Sequence, residues 1–193
     1  DVPGHLPESY ITYHTPWANL SNTPFRLYKQ NQHEGGISTP LIVHWPKGLA
    51  KGGSITHQMG HITDLMATCL EVAGAKYPAT NSRGQKVQPL RGRSLAPIFR
   101  GEKRQATDTV FFHFSSNRAV RSGKWKLSWA GKGPWELYNM DKDRTELVDL
   151  SGKFASRAQE MAALWERWFK ASSGGKFKGG GGNRKNRKNN KKN

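Results

Sequence analysis

At 193 residues, 35% of them hydrophobic, the chain can build one ordinary domain with a real core. A single cysteine, Cys69, excludes a disulfide framework and a cysteine metal cluster, and no apolar run approaches the roughly 18 residues of a membrane span. The formal net charge of +17 suits anionic partners such as sulfated glycans, nucleic acid or anionic lipid heads, without choosing among them.

Residues 1–40 are punctuated by Pro3, Gly4, Pro7, Pro16, Pro24, Gly35, Gly36 and Pro40, which predicts little helix and a functional loop or a torn-off edge. The chain begins at Asp1 with no leader-like segment, so it reads as a fragment or a processed piece. Leu41-Ile42-Val43-His44-Trp45, closed by Pro46, is a continuous apolar run, the pattern of a strand covered on both faces in a central sheet. Ile62, Leu65, Met66, Cys69, Leu70 and Ala73 then recur at helical spacing, and Gly74 stands where a left-handed C-cap belongs. Cys69 on that apolar face is expected to be a small core residue. Residues 75–108 form a polar connection that Leu90, Leu95, Ile98 and Phe99 can anchor.

Four short strands rich in aromatic and β-branched residues follow: 110–114, 118–121, 124–129 and 135–138, with Ser122-Gly123 as a two-residue turn between the second and third. Trp125, Leu127 and Trp129 alternate with Lys126 and Ser128, which predicts one buried face. A closing helix is expected over about 155–170, with Ser156 and Gln159 placed for a capping box. Residues 174–193 contain eight Lys or Arg and no acid, a composition that predicts a disordered basic tail; taking its +8 from +17 leaves +9 on the rest. The order predicts an α/β fold: the end of a mixed sheet with a helix, then a small antiparallel sheet with a closing helix. In segments this gives an incomplete α/β domain over 1–100, an α+β subdomain over 101–172 and a tail over 173–193.

The stretch Trp17-Ala-Asn-Leu-Ser-Asn-Thr-Pro-Phe-Arg-Leu-Tyr-Lys29, continued by His33-Glu34-Gly35-Gly36-Ile37-Ser38-Thr39-Pro40, resembles the arylsulfatase family. There a lysine five residues before the glutamate of an E-G-G-x-x-x-P stretch contacts the sulfate, and Lys29 and Glu34 have that spacing. The segments 62–70 with Gly74, 90–101, 117–127 and 135–150 resemble the family's later helix, linker and small sheet, with Ala67 and Arg144 where prolines are usual. The resemblance implies an alkaline-phosphatase-like fold and a sulfuric-ester hydrolase acting on aryl or carbohydrate sulfate esters, sulfated polysaccharides among them, in the periplasm or outside the cell. It also implies a formylglycine nucleophile and calcium. No C/S-x-P-x-R motif is present, since Leu70, Glu71 and Val72 follow Cys69, and no residue matches the calcium ligands, so the reading assigns no metal ligand and expects no turnover from these residues alone.

A fixed ammonium beside sulfate oxygens stabilises charge that grows in the transition state, which is the work expected of Lys29. On spacing alone, Lys29 would be one solvated lysine among many. His33, His113 and Asn117 are further candidates for substrate contact, and Glu34 reads as a loop anchor rather than an acid or base. His57 and His61 invite a metal reading but have no evident third ligand. Two rivals stay open: a phosphodiesterase or phosphonate hydrolase of the same superfamily, and a nucleic-acid-binding protein, for which the tail is the better candidate surface.

Overall fold

The computed structural model describes residues 14–105 and 109–173. In chain order the elements are α1 (Thr15–Asn22), α2 (Glu34–Ile37), α3 (Asp64–Val72), α4 (Ala96–Phe99), β1 (Thr109–Phe114), β2 (Asn117–Ser122), β3 (Trp125–Trp129), β4 (Glu136–Asn139) and α5 (Ala155–Ser173). They fall into two compact units: residues 14–38 with 111–173, and residues 39–105 with 109–110. The expected tail at 174–193 lies outside the described residues.

In the first unit the four strands form one sheet in the order β1-β2-β3-β4. Pairing is antiparallel between β2 and β3 and between β3 and β4, with Val120 opposite Leu127 and Leu127 opposite Leu137. These three meet Ala158, Met161 and Trp165 of α5 to make the core, which Phe111, Trp125, Trp135, Trp168 and Phe169 flank. Trp165 is fully buried, its ring stacked 4.9 Å from Phe169 and its Nε1–H donating to the Phe112 carbonyl at 3.0 Å. The Arg118 guanidinium lies 4.4 Å over Trp129 and 4.8 Å over Trp165 while pairing with Glu166, so the α5 side of the sheet is closed by aromatic and cation–π packing.

The other face departs from expectation. Alternation at 125–129 predicts Lys126 and Ser128 in solvent, but both are fully buried, along with Ala119 and Tyr138. The register sets Arg121, Lys126 and Tyr138 in one row and Ala119, Ser128 and Glu136 in the next, and residues 26–34 cover this face. The hairpin turn also shifts by one residue: Ser122 pairs with Trp125, leaving Gly123-Lys124 as the turn, with Gly123 at φ 54° in the first position that a type II′ turn reserves for glycine. Helix α1 was not expected among so many turn formers; Pro16 sits in its first turn, where the missing N–H removes no helical bond. Helix α5 begins at Ala155 with the Ala158 amide bonded to the Phe154 carbonyl, so Ser156 lies inside the helix and is not the cap of the expected box.

In the second unit α3 forms and ends as expected, with Gly74 at φ 63° and the Ala75 amide on the Leu70 carbonyl. Its burial is inverted. The enclosed residues are Asp64 and Thr68: Asp64 pairs with Arg104 at 2.9 Å and accepts from the Arg93 and His61 amides, while Thr68 accepts from the Leu95 amide. The apolar side, Ile62, Leu65 and Met66, is exposed, and so is Cys69, which is therefore not the expected core residue. Leu41–Trp45 belongs to no strand among the described residues, and Ile42 is 90% exposed. That stretch and the outer side of α3 read as core in the sequence because they are apolar, yet nothing described covers them.

Candidate functional site

The Lys29 loop is a chain reversal held from beneath. Asn22 and Phe25 close a turn, and Leu27 and Gln30 adopt left-handed backbone at φ 64° and 82°. L-residues hold such angles only where the surroundings over-determine them. The returning strand of the loop supplies part of that constraint. The Gly35 amide donates to the Arg26 carbonyl at 2.9 Å and the Gly36 amide to the His33 carbonyl at 2.8 Å. A Cβ at Gly35 would collide with the carbonyls of Arg26 and Leu27, and one at Gly36 with those of Tyr28 and Asn31. The glycine pair is thus required by close backbone approach.

Below this crossing lies an ionic anchor. Lys126 Nζ is 2.8 Å from Glu34 Oε1 and 2.8 Å from Glu146 Oε1, and all three side chains are enclosed. Glu146 Oε2 accepts the Glu34 backbone N–H at 2.7 Å, so one carboxylate binds both the ammonium and the start of α2. Glu34 bears out its reading as an anchor. Burial works against its carboxylate, but the Lys126 ammonium prevails and holds it below the usual range. Arg144 adds a longer contact of 3.5 Å to Glu34 and a hydrogen bond to Ser38 Oγ.

Beside it His33 Nε2 lies 2.8 Å from Glu136 Oε2, which also accepts from the Tyr138 hydroxyl at 2.9 Å and from Arg26 at 3.2 Å. His33 is fully buried and its Nδ1 has no hydrogen-bond partner among the described residues. Burial therefore pushes the imidazole below its usual pKa despite the carboxylate, and neutral His33 donates from Nε2. A direct consequence is acid sensitivity. As pH falls through about 6.5 the unfolded chain takes up a proton at residue 33 that the folded chain refuses, so stability declines with acidification. Glu34, depressed in the fold, acts in the same direction at lower pH. Urea unfolding at stepped pH is expected to show a decline below about 6.5 that His33→Gln flattens. Identical slopes for both chains would remove His33 as the cause.

Above the anchor Lys29 is exposed, and its ammonium has no hydrogen-bond or ion-pair partner among the described residues. Of the other expected contacts, His33 lies at the loop base, where protein encloses its ring, and Asn117 donates from Nδ2 to the Gln30 carbonyl at 2.8 Å. His113 sits elsewhere, 5.7 Å from Trp165 and 5.0 Å from Phe169 on the α5 side. Sequence reasoning missed Lys126, Glu136 and Glu146. The available signal was the matched charge on alternate strand positions: Arg121 and Lys126 against Glu136, on a face otherwise holding Ala119, Ser128 and Tyr138.

Calcium and a formylglycine nucleophile do not fit these residues. Among the described residues no three His, Cys, Asp or Glu side chains converge, Glu34, Glu146 and Asp64 are each committed to a cation, and Cys69 lacks the required sequence context. The arrangement can supply an exposed ammonium, that of Lys29, on a loop whose backbone is anchored.

A loop of this kind, on the sheet-and-helix fold described, defines the carboxy-terminal portion of a sulfatase. Residues 25–171 match the family described as N-sulphoglucosamine sulphohydrolase, C-terminal, and the chain belongs to that family. An uncharacterized sulfatase of Schizosaccharomyces pombe is 31% identical over 163 residues, covering 81% of this chain and 29% of its own length. The N-acetylgalactosamine-6-sulfatase of Mus musculus is 32% identical over 147 residues, covering 75% of this chain and 26% of its own. The crystal structure of Ps i-CgsB in complex with k-i-k-neocarrahexaose superposes with a TM-score of 0.62 at 26% identity, over 76% of this chain and 32% of that one. The chain thus spans under a third of the length of each of these proteins.

Proposed function

We propose that these residues complete the active site of a sulfuric-ester hydrolase by presenting the Lys29 ammonium to the oxygens of a sulfate group. The observation that carries this is the contrast within one loop: Glu34, five residues along, is buried and doubly engaged, whereas Lys29 is exposed and unpaired among the described residues. A loop whose backbone is held before the substrate arrives presents the lysine from a set position, so less has to be reorganised when charge develops. A sulfated carbohydrate is the substrate class, supported by the sugar complex of Ps i-CgsB and by the N-acetylgalactosamine-6-sulfatase relative. A polysaccharide of that kind is met in the periplasm or outside the cell; no helix among the described residues is long and apolar enough to cross a membrane.

Attack on sulfur, and the calcium and formylglycine that the family resemblance implies, belong to sequence that this chain does not match. Leu41, Ile42, Ile62 and Met66 are exposed with no described residue over them, in a chain that spans under a third of the length of the relatives it matches. The 193 residues purified alone are expected to show no turnover of an aryl sulfate. The complete enzyme is expected to hydrolyse an aryl sulfate faster than the matching phosphate ester. Turnover by the isolated chain, or preference for the phosphate, would overturn the reading.

A further inference from the structure

Lys29 has no side-chain partner of its own among the described residues, so the backbone of 28–30 sets its direction. On one side the loop is fixed through Gly35, Glu34 and the buried Lys126. On the other, among the described residues, a side chain reaches it: Asn117, the first residue of β2, donates from Nδ2 at 2.8 Å to the carbonyl of Gln30, the residue after Lys29. Gln30 is one of the left-handed residues, so this bond falls where the backbone most needs support.

The position of Asn117 depends on its neighbour across the sheet end. Gly131, between β3 and β4, takes φ 78°, and its lack of a side chain leaves Asn117 its place: a Cβ there would press on Ser116 Oγ and lie 3.2 Å from Asn117 Oδ1. The chemistry of Asn117 is also restricted: a carbonyl oxygen must be met by a donor, which asparagine offers and the near-isosteric aspartate does not.

We infer that Asn117 is a positioning residue which aims the Lys29 ammonium through the Gln30 carbonyl, and that this tether is a task of the small carboxy-terminal sheet in catalysis. The inference rests on Lys29 being the sulfate contact. It differs from the expectation that Asn117 touches substrate, because a residue acting only through Lys29 loses its effect once Lys29 is gone.

That difference is measurable in the complete sulfatase with four proteins: the unmodified enzyme, Lys29→Ala, Asn117→Asp and the double variant. Asn117→Asp is expected to lower kcat about tenfold, the scale of a small misplacement of a catalytic charge. KM should move less than about twofold, and the melting temperature by no more than roughly 3 °C, since the contact is at the surface. In the Lys29→Ala background the same substitution should change kcat by less than about twofold. In the 193-residue chain, hydrogen exchange at the Asn31 amide should quicken in Asn117→Asp while the β2–β3 amides keep their protection. A tenfold loss that persists without Lys29 would make Asn117 a substrate contact and overturn the tether alone. So would an Asn117→Asp enzyme within twofold of normal, or unchanged exchange at Asn31. If Lys29→Ala is itself inert, the site assignment and the tether both fall.

Discussion

Lys126→Met is expected to lower the unfolding free energy of the unit built on the sheet by about 3–5 kcal/mol, the usual result of removing one partner from a buried ionic group. The size follows from what stays behind. Lys126 is the shared ammonium of Glu34 and Glu146, each 2.8 Å away, and none of the three reaches solvent. Methionine fills the stem's volume, so the effect is not a cavity; it is two carboxylates left facing each other without a counter-charge. Arg144, at 3.5 Å from Glu34 and half exposed, replaces little of the lost attraction. Restoring neutrality by adding Glu34→Gln and Glu146→Gln should recover most of the loss, because shape-matched neutral groups in place of a buried ion cluster are tolerated far better than a broken one. Urea titration of the 193-residue chain, followed by tryptophan emission, reads this directly, since Trp125, Trp129, Trp135, Trp165 and Trp168 all lie in or beside the sheet and α5. A single-variant loss below about 1 kcal/mol would mean the cluster is wetter than its geometry indicates.

Lys126 also shows where the sequence stops being legible. Within 125–129 the alternation of aromatic and polar residues located the strand to a residue, and the same logic placed β1, β2 and β4 to within one or two. Alternation says which side of a strand is apolar. It does not say that the polar side is dry, because the partner that encloses Lys126 is Glu34, 92 residues earlier in the chain. The same limit inverted α3: periodicity found its apolar stripe, whereas the side enclosed here is the polar one, where Asp64 and Thr68 meet Arg104, Arg93 and Leu95. Pro16 was read as a breaker because its place in a helix, not its identity, decides its effect. Of the candidate site, Lys29, Glu34 and the glycines stood out because motif spacing fixes them locally, while Glu136, Glu146 and Asn117 join it only through the sheet register and the fold of the loop over it.

Lys29→Ala in the complete sulfatase is expected to lower kcat/KM by about 10²–10³, as loss of one preorganised oxyanion donor does in other hydrolases. The loop geometry makes the effect fall on the chemistry more than on folding. Lys29 is exposed and makes no described side-chain contact, so its removal leaves the Glu34–Lys126–Glu146 anchor and the Gly35–Arg26 bond in place, and the melting temperature should hardly move. Arginine is not an equivalent replacement. A planar guanidinium on a longer stem spreads the charge that lysine delivers as a compact point, so Lys29→Arg should recover only part of the rate. Substrates with better leaving groups place less charge on the ester's leaving oxygen, and the Lys29→Ala penalty should stay constant across a leaving-group series if the ammonium meets the non-bridging oxygens. A penalty that shrinks as the leaving group improves would put the ammonium on the leaving oxygen instead, and an effect within about twofold for every ester would take Lys29 out of the active site, since an oxyanion contact is worth far more than that.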